Sequence, residues 1–307
     1  MNIILKFNKI MFLLLLIILP ISAFAVGKPF TNIYVFGDSL SDNGNIASLP
    51  QYSFLNSAPF ANAFTNGPVA VEVLATYLGL KANPSRHLVG TPVGTNYAIA
   101  GASAGDTGDP NINLSSQIDV FLRYQPNNLA PEDALYIVFI GGNDGIDALS
   151  KPGKPVIKNA VQAIDLNIRK LINAGAGAIM VVNVPNLGLA PAISALGTNV
   201  AKKASLLTKQ FNSNLSSHLN KIEKDLYVDI IDYDLFQLSN IVATNRMGLG
   251  YINSTQACYN TAELKYYPRC DSGANFEGFY FFDNLHPTKV SHERMGSAFY
   301  SLVPKLL

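Results

Sequence analysis

Three side chains in this chain have the types and spacing to do chemistry together: one serine near its start, and an aspartate and a histidine near its end. Ser39 lies in Phe36-Gly37-Asp38-Ser39-Leu40-Ser41-Asp42-Asn43-Gly44-Asn45, directly after the apolar run Asn32-Ile33-Tyr34-Val35-Phe36. A serine hydroxyl is a poor nucleophile unless a base takes its proton during attack. The apolar run reads as a buried strand that Gly37 ends. Ser39 is therefore expected on the turn at a strand's C-terminal end, the rim of an α/β sheet where ligands bind. Asp283-Asn284-Leu285-His286-Pro287 supplies a base and a carboxylate three residues apart. One turn can hold both, with the carboxylate beside the ring nitrogen that must keep a proton. The competing reading of that turn is an ordinary helix N-cap with a histidine beside it. His87 in a polar loop, His218 within a helix and His292 on the last helix all read as surface residues.

Acyl transfer also needs donors for a developing oxyanion. Gly141-Gly142-Asn143-Asp144 follows a buried apolar run, so the Asn143 amide can reach a cleft there. Gly101, in Asn96-Tyr97-Ala98-Ile99-Ala100-Gly101-Ala102, offers a backbone N–H. Both stretches also read as plain turns, which Asn and Gly dominate. A rival serine stands in Gly101-Ala102-Ser103-Ala104-Gly105, a G-x-S-x-G pattern that requires a helix directly after the serine. Asp106-Thr107-Gly108-Asp109-Pro110 follows instead, which is turn chemistry, so Ser39 is preferred. Asp38 and Asp42 flank the nucleophile and are expected to fix its loop rather than react.

These four pieces, in this order, resemble the blocks of the GDSL lipase/esterase family, also called SGNH hydrolases. Phe36 to Asn45 is similar to the first block, Asn96 to Ala102 to the second, Gly141 to Asp144 to the third, and Asp283 to His286 to the last. Within the family the chain is most similar to secreted bacterial lysophospholipase A and glycerophospholipid–cholesterol acyltransferase enzymes. One departure is Ala100, where relatives often carry a first Gly. The resemblance implies Ser39 as nucleophile, His286 as general base and then acid, and Asp283 as its orienting carboxylate. It implies an oxyanion hole of the Ser39 N–H, the Gly101 N–H and the Asn143 side chain. It also implies a phospholipid or lysophospholipid substrate met at a membrane or micelle surface, acyl transfer to a sterol as a side reaction, and no cofactor. The alternatives are an esterase for acetylated carbohydrate or short-chain esters, and a lipid- or glycan-binding protein with vestigial catalytic residues.

The elements needed to position these groups are legible as alternating strand and helix. Strands are expected at 32–36, 94–100, 134–140, 178–184 and 227–231. Helices are expected at 69–80, from 115, at 156–173, 201–224 and 288–302. Apolar strands separated by helices argue for a parallel sheet covered on both faces. The expected fold is a single three-layer α/β/α sandwich with a mainly parallel sheet, which in the family named above is SGNH-hydrolase, flavodoxin-like. Ser39, Gly101 and Asn143 would each follow a strand along one rim.

Residues 1–25 read as a secretory signal rather than fold. Lys6 and Lys9 give a basic start, Met11–Leu19 is apolar, and Ala23-Phe24-Ala25 offers a cleavage site. Residues 26–307 would then form one hydrolase domain, exported to the periplasm or the medium. Removing residues 1–25 leaves 20 basic and 21 acidic residues. Nucleic acid is not an expected partner, since no basic face is indicated. No HExxH, P-loop or dinucleotide motif occurs, and the two cysteines lack histidine partners at metal spacing. Cys258 and Cys270, an even count in an exported chain, point to one disulfide closing a short loop. The stretch from Tyr251 to Phe282 is rich in Tyr and Phe. It reads either as core packing or as a lid beside the catalytic turn, with the disulfide loop a candidate cleavage point for an activating protease.

Overall fold

The computed structural model describes residues 30–105 and 108–306. The expected signal, residues 1–25, lies outside them. Four strands form the central sheet: β1 (Asn32–Gly37), β2 (Ala134–Phe139), β3 (Ala178–Val182) and β4 (Ile230–Tyr233). They lie in the order β1-β2-β3-β4 and every pair is parallel. The registers Ile33↔Leu135 and Leu135↔Ala178 set side chains of successive strands level with one another. Side chains alternate between the two faces, as a strand's period of two requires. Ile33, Val35, Leu135, Ile137, Phe139 and Met180 point to one face. They pack on Val71 and Leu74 of α1 (Ala70–Tyr77) and on Met295 and Phe299 of α8 (Lys289–Leu302).

Tyr34, Phe36, Tyr136, Val138 and Val181 point to the other face. It is covered by α2 (Leu114–Arg123) through Phe121, by α4 (Gly153–Asn173) through Ile164 and Ile168, and by α6 (Thr198–Leu226) through Phe211 and Leu215. Each such aliphatic or aromatic side chain is worth roughly 1.5–3 kcal/mol when fully buried, so both faces are strongly held. The three-layer architecture expected from the strand–helix alternation is present.

Several elements differ from the sequence reading. Residues 95–99 run alongside β1 without forming a regular strand. Val35 donates to Thr95 O (3.1 Å), while Tyr97 and Ile99 donate to Val35 O and Gly37 O (2.8 and 3.1 Å). Counted as a strand, this segment would give the order 2-1-3-4-5, the flavodoxin arrangement, whose ligands bind at the switch between the first and third strands. The strand expected at 227–231 starts later, at Ile230, because Tyr227 ends α6 in a left-handed turn (φ 54°) and is 95% exposed. Tyr77 of α1 is half exposed and stacks on Tyr300.

Two helices were not anticipated: α3 (Gly142–Ser150) directly after β2, and α7 (Leu235–Thr244) directly after β4. A four-residue helix, α5 (Pro191–Ser194), precedes α6. Beyond α7 the chain leaves the main sheet. There β5 (Asn253–Ala257) pairs with β8 (Phe279–Phe281), and β6 (Tyr259–Asn260) forms a hairpin with β7 (Lys265–Tyr266). Cys258 and Cys270 are bonded, as their even count suggested, and both are fully buried.

Candidate active site

The nucleophile turn is fixed by a close backbone approach and by buried polar groups. A Cβ on Gly37 would lie 2.2 Å from Phe139 O, so only glycine lets β1 end this close to β2. Gln117 of α2 holds both backbone groups of Gly37, accepting from its N–H and donating to its carbonyl at 2.8 Å each. Asp42 then accepts four amides: Gly44 and Asn45 on one oxygen, Ile46 and Ala100 on the other. The Asn45 side chain donates to Asn96 O and Ala98 O, and Asn96 donates to Ser41 O. The polar Ser-Asp-Asn-Gly-Asn tail is therefore a buried network that ties the Ser39 loop to residues 96–100. The Ser41 hydroxyl is buried without a partner, while the carboxylate and amide side chains named here are paired and fix one geometry.

Asn143 stands in the first turn of α3. That helix opens at Gly141, whose φ of 117° and close approach to Phe211 exclude a side chain. Asp144 follows and accepts the Ala104 and Gly105 amides at 2.8 and 3.0 Å, joining α3 to the loop that carries Gly101. Asn143 Nδ2 donates to Ala102 O at 2.7 Å, which leaves its second N–H for another acceptor. The amides flanking Gly101 are engaged, Ala100 with Asp42 and Ala102 with Ile99. The Gly101 and Ser39 amides have no partner among the described residues. Three donors thus remain uncommitted on the three segments that follow β1, residues 95–99 and β2.

Ser39 Oγ lies 2.8 Å from His286 Nε2, and His286 Nδ1 lies 2.8 and 2.9 Å from the two oxygens of Asp283. A carboxylate facing Nδ1 places the ring proton there, which leaves the Nε2 lone pair to accept from the Ser39 hydroxyl. Asp283 Oδ1 also accepts the Leu285 and His286 amides, both at 2.8 Å. The sequence spacing thus folds as a tight turn around its own carboxylate, and the histidine is no bystander to a helix cap.

The electrostatics follow from burial and pairing. Burial works to raise the Asp283 pKa, but the facing His286, its hydrogen bonds and the two amides hold it below the usual carboxylate value. Burial works to lower His286, and Asp283, with Asp38 behind it, carries it above the ordinary 6.5. Burial pushes Asp38 up to about 6, against the Leu40 amide and the His286 charge, which favour its ionised form.

The histidines read as surface residues are placed differently. His292 is 1% exposed, accepts from the Ala70 amide at 3.1 Å where α8 meets the start of α1, and is pushed down to about 3 by burial. It is a structural, neutral histidine. His87 is half-buried against Tyr97 and Ser85, and burial lowers it to about 4. His218 pairs with Asp165 at 2.7 Å and is partly exposed. Ser103, the rival nucleophile, is buried, and residues 104–105 form a bend rather than the helix that an elbow requires.

Two contacts to the catalytic turn had no signal in the sequence. The Phe64 ring stacks on the His286 imidazole (centroids 5.0 Å, 21° between planes), and the Thr261 hydroxyl donates to Asp283 Oδ2 at 3.0 Å. The aromatic stretch before Asp283 packs mainly as core. Tyr251, Tyr259, Phe279, Tyr280, Phe281 and Phe282 are buried, and Phe282 stacks on Tyr259 and Phe276. Beside Ser39, Asn143 and His286 opens a largely apolar pocket walled by Ile146, Leu187, Leu189, Leu235, Val242 and Phe281. Its cavity volume is about 90 Å³, and it is open to solvent on one side. Among the described residues no cluster of three or more His, Cys, Asp or Glu side chains is placed to hold a metal ion.

A serine, a histidine and a buried carboxylate in one hydrogen-bonded row, beside uncommitted N–H donors at a parallel-sheet rim, define the serine-hydrolase class of site. Residues 33–299 match the family model described as GDSL-like Lipase/Acylhydrolase, and the chain belongs to that family of ester hydrolases. It is 27% identical to Lipase 1 of Photorhabdus luminescens, over 89% of this chain and 50% of that protein. It is 26% identical to a GDSL esterase/lipase of Arabidopsis thaliana, over 85% of this chain and 84% of that one. The chain spans about half the length of the curated bacterial relatives it matches. Among solved structures, an extracellular lipase of Streptomyces rimosus aligns over 90% of this chain and all of its own, with 14% identity and a TM-score of 0.40.

Proposed function

We propose that this protein is an exported hydrolase of fatty-acyl esters of glycerophospholipids, with lysophospholipids favoured. The observation that carries the reading is the unbroken Ser39–His286–Asp283 row opening into an apolar pocket. A pocket walled by Leu, Ile, Val and Phe suits an acyl chain, which gains about 0.8 kcal/mol for each CH₂ it buries. The preference for lysophospholipids is supported by the likeness of the four sequence blocks to secreted lysophospholipases.

His286 Nε2 takes the Ser39 proton as Oγ attacks the ester carbonyl carbon. The carbonyl electron pair moves to oxygen, which the Ser39 and Gly101 amides and the Asn143 side chain receive. Asp283 holds the resulting imidazolium. Collapse breaks the bond to the alcohol oxygen, which leaves with the His286 proton, and acyl-Ser39 remains. Water repeats the cycle, releases the fatty acid and restores Ser39. The chain, the ester and water supply every proton and electron pair. A sterol hydroxyl in place of that water would give acyl transfer. The basic, apolar and small-residue order of residues 1–25 supports export, and the exposed tip at 262–265 of the disulfide loop is where a protease would cut.

The test compares the protein with Ser39→Ala on lysophospholipid, diacylphospholipid and a short-chain ester, with and without cholesterol. We expect fatty-acid release from lysophospholipid to fall roughly a million-fold in the variant. Turnover of the short ester alone would keep the chemistry and discard the lipid substrate. Equal rates for both proteins would discard Ser39 as nucleophile and bring forward a binding role.

A further inference from the structure

We propose that Thr261, carried on the hairpin closed by Cys258 and Cys270, is a positioning residue for Asp283, and that this hairpin reaches the Asp283 carboxylate through that hydroxyl. The proposal rests on the catalytic reading of Ser39, His286 and Asp283 given above.

Asp283 has two kinds of partner. The Leu285 and His286 amides on Oδ1 belong to its own turn and travel with it. The Thr261 hydroxyl on Oδ2 comes from a separate element, 22 residues upstream. Both carboxylate oxygens lie within 0.1 Å of the same distance from His286 Nδ1. The ring therefore does not choose between them, and a second, independent donor is what fixes the carboxylate plane. Thr261 supplies it.

The hairpin is built to hold that hydroxyl in place. Tyr259 and Asn260 pair with Tyr266 and Lys265. The Asn260 side chain accepts the Ala262 and Glu263 amides at 3.1 and 3.2 Å and so shapes the turn on which Thr261 sits. The Tyr259 amide donates to Phe282 O at 2.7 Å, anchoring the hairpin to the residue just before Asp283. The Tyr259 ring stacks on Phe282 and meets Phe60 edge-on. The Cys258–Cys270 bond closes the base of the loop, where Tyr267 also donates to Cys258 O at 3.0 Å.

Removing the hydroxyl changes the charge as well as the geometry. A carboxylate that loses a donor has its negative charge less neutralised and becomes more basic, so in the same place it binds the imidazolium more strongly. His286 would then lose its proton less readily, and the acid limb of kcat/KM would move to higher pH. The other ionisable groups bearing on this pair are Asp38 from the nucleophile turn and His292 from α8. Glu263 and Lys265 pair with each other at the hairpin tip.

The test measures kcat, KM and the pH profile on a soluble short-chain ester for Thr261→Val and Thr261→Ser. Valine matches threonine in shape and keeps water from replacing the hydroxyl, whereas serine restores it. We expect Thr261→Val to lower kcat about tenfold, the size of one hydrogen bond to a charged group, with KM little changed. Its acid limb should move up in pH, and Thr261→Ser should return both quantities toward those of the parent. The Cys258→Ser/Cys270→Ser variant should show the same kind of fall, and adding Thr261→Val to it should cost less than the sum of the two, because the crosslink holds the hairpin that carries the hydroxyl. A Thr261→Val protein with parental kcat and acid limb overturns the proposal, as does a Thr261→Ser protein no better than Thr261→Val. If Thr261→Val does not fold, Thr261→Ala compared with Thr261→Ser decides by the same two readouts. Ser39→Ala separates the two levels: activity insensitive to Ser39 removes the catalytic reading, and Ser39-dependent activity insensitive to Thr261 removes only this inference.

Discussion

Ser39 and His286 meet at 2.8 Å, yet the two sides of that hydrogen bond are built by different means. The Ser39 side, with Gly101 and Asn143, hangs from the ends of β1, β2 and the 95–99 segment. Continuous backbone ladders and two covered sheet faces fix it. The His286 side hangs from β8, three residues long, a two-residue-per-strand hairpin, 3₁₀ turns, a disulfide and stacked rings. A ladder distributes its constraint over many equivalent bonds. The arm concentrates its constraint in a few side-chain contacts and one crosslink. The comparison teaches that the two halves can be loosened separately, and that the arm should open at lower free energy than the sheet.

Three changes sharpen or break this contrast, beginning with the largest. Gly37→Ala strikes the ladder itself, since its Cβ would sit 2.2 Å from Phe139 O. We expect a loss of roughly 3 kcal/mol in global stability by urea unfolding; a midpoint equal to the parent's would show that the sheet rim is looser than drawn. Cys258→Ser/Cys270→Ser strikes the arm at a cost of about 2 kcal/mol. Hydrogen exchange should rise across residues 253–282 while β1, β2 and β3 stay protected. Protection lost evenly over both regions would abolish the distinction between them.

Asp38→Asn is the mildest, because it keeps the shape and the acceptor for the Leu40 amide. In the proposed mechanism activity needs neutral His286, so kcat/KM should rise with pH through an inflection above 6.5. The Asp38 carboxylate helps raise that value. Its removal should therefore move the inflection to lower pH, and an upward move would assign the opposite sign to the coupling across the two halves.

What could be read in advance was what is local in sequence. The strand-to-turn step at Gly37 and the three-residue spacing of Asp283 and His286 are short-range patterns, and the buried apolar runs announced the parallel sheet. Helix α3 was missed because Gly-Gly-Asn-Asp is turn chemistry, and here the turn is a left-handed Gly141 that opens a helix. His292 was misplaced although its signal existed: it shares the i, i+3, i+7 stripe of Met295 and Phe299. The 95–99 segment was read as a strand because it is extended and apolar, but side chains of Asn45 and Asp42 take over part of its hydrogen bonding. The contacts of Phe64 with His286 and of Thr261 with Asp283 join distant parts of the chain. No local pattern encodes such pairs, since only the closed fold makes them neighbours.

The hydrogen bond between Ser39 and His286 joins residues 247 positions apart. A chain made from its amino end therefore carries its nucleophile long before its base exists. Until α8 docks on α1 and the turn before it closes, Ser39 has no imidazole beside it and is an ordinary alcohol. The contact between the two side chains thus forms only when nearly the whole described chain has closed on itself.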